Sequence, residues 1–138
     1  MKKISSVEDL QVYRKLCALH LEINDITIKF PEFELYELGA QLRKSSNAAP
    51  ASIAEGLHNK RLNLEVIHKV LGELNGTKHY LNIAFKKCYI KQSKYEDLMR
   101  QCDECGRLLH SLEKSIYWRS KPSPFTKNQF TTINNRRQ

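Results

Sequence analysis

The chain has 138 residues, is 41% hydrophobic and 28% charged, and carries a formal net charge of +8. This length is typical of one domain with its own core, and no run reaches the roughly 18 apolar residues of a transmembrane helix. Residues 1–9 turn acidic where a secretory signal would need an apolar segment. We therefore expect a cytoplasmic protein that does not contact a membrane and whose cysteines are reduced.

Apolar residues recur at alternating steps of three and four through most of the chain, which is the spacing of amphipathic helices. Ser5 and Glu8 fit a capping box at the start of the first such stripe. Pro31 marks its end, because a proline pushes the preceding residue out of the helical region. The first predicted helix therefore runs from this capping box to Pro31, with the stripe Val12, Leu16, Leu19, Ile23, Ile26 and Phe30.

The second stripe is rich in small residues and crosses a proline. It consists of Leu35, Leu38, Leu42, Ser45, Ala49 and Ile53. A proline inside a helix removes one hydrogen bond of the ladder and bends the axis, so we expect a kink at residues 46–50, near Pro50. Gly56 is expected to stop this helix or to begin its fraying. Because small side chains let backbones approach closely, residues 41–56 are predicted to shape a packing interface.

Two further stripes predict a third and a fourth helix. The third has Asn63 as its N-cap and comprises Ile67, Leu71, Leu74, Lys78, Leu81, Phe85 and Cys88. Gly72 and Gly76 each weaken its helix propensity by about 1 kcal/mol relative to alanine, so we attribute them to close helix contact. The fourth begins with a capping box at Ser93 and Glu96 and comprises Leu98, Cys102, Cys105, Leu109, Leu112 and Ile116.

Four amphipathic helices with short connections predict an all-α protein, an antiparallel up-down-up-down four-helix bundle with a proline-kinked second helix over residues 1–120. Residues 121–138 contain two prolines and several polar amides, and we expect a basic, flexible C-terminal tail. A second, weaker apolar face indicates either subunit contacts or a wide core. It comprises Tyr13, Cys17, His20, Val66, Val70, Leu108 and Tyr117.

The charges are placed asymmetrically along the sequence. Residues 4–37 hold three basic and seven acidic side chains, whereas five lysines and no acid lie between Glu73 and Glu96. After Glu113 the basic residues are again unaccompanied by an acid. We interpret this pattern as one mildly acidic and one strongly basic end, which favours a polyanionic partner, nucleic acid before membrane, over charge that serves solubility alone.

Cysteine, histidine and acidic residues give two patterns that resemble reactive sites. Cys102-x-x-Cys105 lies on the apolar stripe without a second ligand pair or a preceding strand, so we interpret both as core cysteines. Two Glu-x-x-His units, beginning at Glu55 and Glu65, have the spacing of di-iron bundles, but both flank the same loop. We expect no metal, no cofactor and no enzymatic activity.

Basic residues are the best functional candidates, because lysine and arginine contact phosphates with little sequence specificity. Tyr80, Tyr89 and Tyr95 interleave with the lysines before the fourth helix and serve base stacking or packing, of which packing is favoured. The predicted nucleic-acid-binding residues are Arg43, Lys44, Lys60, Arg61, Lys78, Lys86, Lys87, Lys91, Lys94, Lys121, Arg136 and Arg137.

Three segments carry a family resemblance: Phe30-Pro31-Glu32, residues 38–43 and Ala51-Ser52-Ile53-Ala54-Glu55-Gly56. In order and spacing they resemble a bacterial four-helix-bundle family whose founding members are encoded in intervening sequences of 23S ribosomal RNA genes. Residues 95–109 are similar to the last helix of a sister group, the accessory variability determinant (Avd) of diversity-generating retroelements. The chain departs from these patterns at Thr77 and Tyr80, where the first family has serine and an acid.

The resemblance implies a bundle that assembles as a barrel-like homopentamer without enzymatic activity. In the retroelement group the pentamer is basic, binds nucleic acid and partners a reverse transcriptase. We therefore expect a scaffold that binds nucleic acid, RNA or an RNA–DNA hybrid, beside a reverse transcriptase. The alternative is a protein-only oligomeric adaptor of the intervening-sequence type, with no direct role in nucleic-acid binding.

Overall fold

The computed structural model describes residues 6–59 and 62–120, which form four α-helices and two short 3-10 turns. The turns are Val7–Asp9 and Glu32–Glu34, and the helices are α1 (Gln11–Thr27), α2 (Leu38–Asn59), α3 (Leu64–Lys86) and α4 (Gln92–Ser120). Within these ranges α1 packs on α2, α2 on α3, α3 on α4 and α4 on α1, and the backbones of the diagonal pairs of helices lie farther apart. This arrangement confirms the predicted four-helix bundle. The predicted tail, residues 121–138, lies outside the described residues.

The predicted apolar stripes form the core of the bundle. Leu16, Ile23, Ile53, Leu81 and Leu109, which come from all four helices, are each at most 1% exposed. Burying a side chain of this size contributes about 1.5–3 kcal/mol, so the stripes account for much of the stability of the fold. The core is wider than one stripe per helix, because Val70, from the second apolar face of the sequence, is also fully buried.

Helix α1 begins later and ends earlier than the sequence predicts. Among the described residues Ser6 and Asp9 make a capping box, in which the amide of Ser6 donates to the Asp9 carboxylate over 3.1 Å. Ser5, the predicted cap, lies outside the described residues. This box opens the turn Val7–Asp9 and not α1 itself. At the other end the helix stops at Thr27, whose hydroxyl donates to the carbonyl of Asn24 over 2.9 Å.

Helix α2 runs continuously through Pro50 and Gly56 to Asn59, so the predicted stop at Gly56 is wrong. The glycine instead allows α3 to approach, because a Cβ atom there would lie 3.0 Å from Cγ1 of Val66. Pro50 is buried inside the helix and has no N–H to donate to the preceding turn. Gly56 thus serves close packing of α2 on α3, in line with the packing interface predicted for residues 41–56.

Helix α3 starts at the predicted N-cap, where the Asn63 side chain accepts from the amide of Val66 over 2.9 Å. It ends in a Schellman motif, in which the amides of Cys88 and Tyr89 each donate over 2.9 Å to carbonyls of the last turn. Cys88 has the left-handed φ of 66° that this motif requires. It is exposed, so its predicted place on the buried stripe is wrong.

Two further expectations for α3 and α4 need correction. A Cβ atom at Gly72 or Gly76 would meet no other atom within 4 Å, so these glycines do not mark close contact within the described chain. Helix α4 begins at Gln92, one residue before the predicted cap Ser93. The Glu96 carboxylate accepts from the Gln92 side chain over 3.2 Å and closes no capping box with Ser93.

Candidate nucleic-acid interface

The antiparallel arrangement gives the bundle two different ends. At the first, which we call the turn end, residues 28–37 lie beside residues 87–91, and the rings of Phe30 and Tyr89 are 5.2 Å apart. At the second, the terminal end, the start of α1, the end of α2, the start of α3 and the end of α4 come together. Gly56 lies against Val66 there, and a shared hollow joins Leu64 to Tyr117.

A buried carboxylate organises the turn end. Glu34, whose side chain is 4% exposed, accepts from Nζ of Lys87 over 2.9 Å and from the hydroxyl of Tyr89 over 2.8 Å. The backbone amide of Leu38 donates to the other carboxylate oxygen of Glu34 over 3.3 Å. The hydrogen bond from Lys87 is the main cause that lowers the pKa of Glu34, and it raises the pKa of Lys87 in turn. These contacts join the connection between α1 and α2 to the connection between α3 and α4 and to the start of α2.

Three more of the predicted nucleic-acid contacts also serve as links between helices. Lys94 lies 2.8 Å from Glu22 on α1, and Lys78 lies 2.8 Å from Asp103 on α4. The guanidinium of Arg43 donates to the Thr27 hydroxyl over 3.1 Å and to the backbone carbonyl of Leu35. These partners hold the cations against the protein, so they leave less charge for a phosphate.

The remaining predicted residues fall into two groups. Lys44, Lys86 and Lys91 are exposed and form no ion pair with another residue that the structure describes. The others lie outside the described residues: Lys60, Arg61, Lys121, Arg136 and Arg137. Four of the predicted contacts lie in residues 86–94: Lys86, Lys87, Lys91 and Lys94. Of these, only Lys86 and Lys91 are therefore placed to meet a ligand.

The expected separation of an acidic end from a lysine-rich end is wrong for the described part of the chain. Topology brings the acidic residues 22–37 and the lysines of residues 86–94 to the same turn end, where Glu34 and Glu22 pair with Lys87 and Lys94. A linear reading of charge could not show this, because the two segments are far apart in sequence and meet only when α1 packs on α4.

The surplus charge of the whole chain lies elsewhere. Of its 23 basic residues, eight fall outside the described ranges, which leaves 15 within them, and all 15 acidic residues are also within them. The described bundle is thus formally neutral. The segments with the surplus adjoin Ser6, Asn59, Leu62 and Ser120, all at the terminal end, and carry Lys2, Lys3, Lys60, Arg61, Lys121, Lys127, Arg136 and Arg137.

The predicted tyrosines mostly pack against other aromatic side chains. Tyr95 stacks on Phe85 with ring centroids 4.4 Å apart and planes 6° apart, and Tyr89 lies against Phe30. Tyr80 meets His79 edge to face at 5.3 Å. Their geometry supports packing for Tyr89 and Tyr95, the interpretation that the sequence favoured.

Two exposed aromatic residues at the end of α4 were not among the predicted site residues. Tyr117 is 49% exposed and Trp118 is 63% exposed, and their rings meet edge to face with centroids 5.8 Å apart. They follow Ile116, the last buried residue of the α4 stripe. The sequence signal was available: Trp118 lies off the apolar stripe and directly precedes Arg119, a pattern that is more typical of a surface than of a core.

Histidines join the ends of α3 and α4 near these aromatic residues. The Glu113 carboxylate is hydrogen-bonded to Nε2 of His68 and, over 3.1 Å, to Nδ1 of His110. The contact with His110 is the main cause that lowers the pKa of Glu113. Of the Glu-x-x-His units, only His68 thus meets another carboxylate, and Glu55 and His58 are exposed. Within residues 6–59 and 62–120, no group of three His, Cys, Asp or Glu side chains could hold a metal.

The cysteines and one serine–histidine pair are placed inside the bundle. Cys102 and Cys105 are buried in the core as predicted, and burial raises their pKa to about 12 and about 11. Ser46 is hydrogen-bonded to Nδ1 of His20 over 2.8 Å, but it is only 3% exposed, so this pair links α1 to α2. Among the described helices, none combines the length and apolar character needed to cross a bilayer.

A comparison with protein families finds a match for this chain. The model of the family described as 23S rRNA-intervening sequence protein matches residues 8–111, which is more than half of the chain. No curated protein matches the chain. The matched range covers α1, α2, α3 and most of α4, and it ends before Tyr117 and Trp118.

Proposed function

This chain belongs to the family of 23S rRNA-intervening sequence proteins, and from that premise we propose that it is a non-enzymatic, basic scaffold that binds nucleic acid, with RNA favoured. One observation carries the proposal: every basic residue in excess of the acids lies in segments that adjoin the terminal end of a neutral bundle. Clustered lysine and arginine bind phosphates through counterion release, largely without regard to sequence. The cytoplasm is the proposed compartment, which suits the unpaired cysteines.

Under this proposal the main contact is made by residues 121–138 together with the other basic segments at the terminal end. Lys44, Lys86 and Lys91 at the turn end give a second, weaker contact, because they are exposed but share that end with the acidic residues Glu32, Glu34 and Glu37. Lys78, Lys87 and Lys94 are assigned to stability instead, since each is already held by a carboxylate.

The salt dependence of binding to a single-stranded RNA oligomer tests this assignment. Each phosphate contact with a single strand contributes about −0.7 to the slope of log K against log salt. Replacing Lys121, Lys127, Arg136 and Arg137 by glutamine removes four cations, so we expect the slope to fall by about 3 units. The control variant has Lys44, Lys86 and Lys91 replaced by glutamine. We expect it to change the salt slope by less. Binding that is absent in the wild type, or unaltered in the first variant, contradicts the proposal.

We further propose that the chain assembles as a homopentamer and serves as an accessory subunit of a reverse transcriptase in a system like the diversity-generating retroelements. Exposed apolar side chains support subunit contacts: Leu21 is 62% exposed, Phe33 71% and Tyr36 85%. Five copies would strengthen a modest patch on each subunit through avidity. Native mass spectrometry tests the assembly, and a stable monomer contradicts it. Co-purification with a reverse transcriptase encoded beside the gene tests the partner.

The neutrality of the described bundle also favours a second candidate, a protein-only oligomeric adaptor. In that case exposed side chains of the bundle or residues 121–138 bind another protein, and RNA affinity is negligible. Deleting residues 121–138 then removes the partner without any change in RNA binding. Comparing RNA affinity and partner capture in the same deletion variant separates the two candidates.

A further inference from the structure

The last turns of α4 combine exposed aromatic rings with basic side chains. Tyr117 and Trp118 are 49% and 63% exposed, and the exposed Lys114 and Arg119 lie within one turn of them along the helix. Neither Lys114 nor Arg119 forms an ion pair with another described residue. The sequence has no acid after Glu113, so nothing C-terminal to this point offsets their charge.

A hollow of about 330 Å³ opens beside Tyr117, between the start of α3 and the end of α4. Its lining is Leu64, His68, Glu113, Lys114 and Tyr117. Glu113 is the acid in this lining, and its carboxylate is already held by His68 and His110. Leu64 and the Tyr117 ring give the hollow an apolar wall, while Lys114 supplies a cation at its edge. A flat, weakly polar ring with a phosphate attached matches this combination.

We propose that the end of α4 is a stacking platform for single-stranded nucleic acid. The Trp118 indole stacks on an unpaired base. The next base occupies the hollow beside Tyr117 and Leu64, and Lys114 and Arg119 contact the phosphates on either side. This inference rests on the proposed function, which requires only positive charge, and adds that unpaired bases are bound by their faces. Aromatic stacking tolerates any base, so the platform adds affinity without sequence preference.

The placement of the platform agrees with the charge distribution. Ser120, two residues after Trp118, adjoins residues 121–138. That segment holds four basic residues and no acid. In sequence, the first of these basic residues, Lys121, follows Trp118 by only three positions. Exposed aromatic residues at the turn end lack this setting, because Phe33 and Tyr36 are interspersed with Glu32, Glu34 and Glu37.

The protein contains one tryptophan, so its fluorescence reports on this platform alone. We expect a poly(U) 20-mer, titrated into the full chain at low salt, to quench the emission of Trp118 in proportion to binding measured by anisotropy of a labelled strand. A DNA 20-mer should also quench, because stacking does not need the 2′-hydroxyl. An RNA duplex of equal length should bind through its phosphates with little quenching, and equal quenching by the duplex would overturn the proposal.

Substitutions separate stacking from charge. We expect Trp118→Ala to weaken binding of the single strand by about 5- to 150-fold, the range for loss of one stacked base. Trp118→Phe should retain most of the affinity, and Ile28→Ala, at an exposed apolar residue of the turn end, should leave it unchanged. Because Trp118 is largely exposed, each variant should fold, which circular dichroism and the melting temperature check.

The possible outcomes are distinct from those of the proposed function. If the wild type binds RNA with a steep salt slope but Trp118→Ala binds equally well, the platform is refuted and the proposed function stands. If the wild type binds no nucleic acid, both fail. If Trp118→Ala changes the oligomer mass and loses affinity only as a consequence, the rings belong to a subunit contact, and the platform is again refuted.

Discussion

Nζ of Lys87, at the C-cap of α3, lies 2.9 Å from the carboxylate of Glu34 in the connection between α1 and α2. The two residues are 53 positions apart in sequence. Their pairing fastens the two connections of the turn end to one another, with the Tyr89 hydroxyl as a second donor. A lysine that looked like a phosphate contact is therefore a structural cation.

Neutralising this lysine should destabilise the bundle, whereas neutralising its neighbour should not. In Lys87→Met the Glu34 carboxylate stays buried without its cation, so we expect a clearly lower melting temperature. Lys86→Met, one position earlier and exposed, should remain within about 0.5 kcal/mol of wild type. Urea denaturation of both variants checks this, and equal stabilities would show that the ion pair contributes nothing.

Stability should fall in acid because of the same carboxylate. The pKa of Glu34 is lowered in the folded state from its usual 4.5, chiefly by the hydrogen bond from Lys87. Its contribution is therefore complete above about pH 4.5 and disappears as the pH falls through the lowered value. Glu34→Gln should be less stable than wild type at neutral pH and should lose less stability on acidification. Parallel declines would assign the acid sensitivity to other carboxylates, such as Glu104 or Glu113.

Glycine at position 88 should stabilise the protein. Cys88 adopts a φ of 66°, which costs a residue with a β-carbon about 1–2 kcal/mol and costs glycine almost nothing. After the greater chain entropy of glycine in the unfolded state is deducted, we expect Cys88→Gly to gain about 1 kcal/mol. Cys88→Ala is the control, because it removes the thiol but keeps the strained β-carbon. A loss of stability in Cys88→Gly would contradict the assigned Schellman motif.

Alanine substitutions at two helical glycines should have opposite effects. A Cβ atom at Gly39 would lie 2.9 Å from the backbone carbonyl oxygen of Glu34, so Gly39→Ala must displace that connection and should cost about 1–3 kcal/mol. A Cβ atom at Gly72 meets nothing within 4 Å, so Gly72→Ala should gain about 1 kcal/mol from helix propensity. Chemical denaturation measures both, and a destabilising Gly72→Ala would indicate that a second molecule covers this face.

Thiol reactivity should follow burial. Burial raises the pKa of Cys102 to about 12 and that of Cys105 to about 11, so neither forms the reactive thiolate at pH 8. Cys88 is exposed and Cys17 is half-buried. In native protein we expect Ellman's reagent to modify Cys88 first and to reach Cys102 and Cys105 only at the rate of unfolding. Fast modification of all four thiols would mean that the core opens readily.

The helices and the core could be read from the sequence because they depend on local periodicity. The spacing of Leu16, Leu42, Leu81 and Leu109 fixes which face of each helix turns inward, and all four residues are buried. The N-cap at Asn63 was equally local. Helix ends were less predictable: α2 continues past Gly56 because Val66 packs against it, a contact that only the folded chain contains.

The candidate site was predicted less well, because charge acts through space and not along the sequence. Lys87 and Lys94 stood in a run free of acids, yet the fold brings Glu34 and Glu22 to them from another helix and its connection. Trp118 was passed over because it follows the apolar stripe instead of belonging to it. For the two lysines the missing information was the neighbourhood of the side chain, which topology supplies, whereas the position of Trp118 beside Arg119 and off the stripe was visible in the sequence.

The equality of cations and anions within the described bundle has a consequence for handling the protein. Like-charge repulsion is what keeps copies of a protein dispersed, and a body without net charge has little of it near neutral pH. Colloidal stability then depends on the eight basic residues in the adjoining segments. A fragment trimmed to the helices alone should precipitate more readily than the full chain, even though its fold is intact.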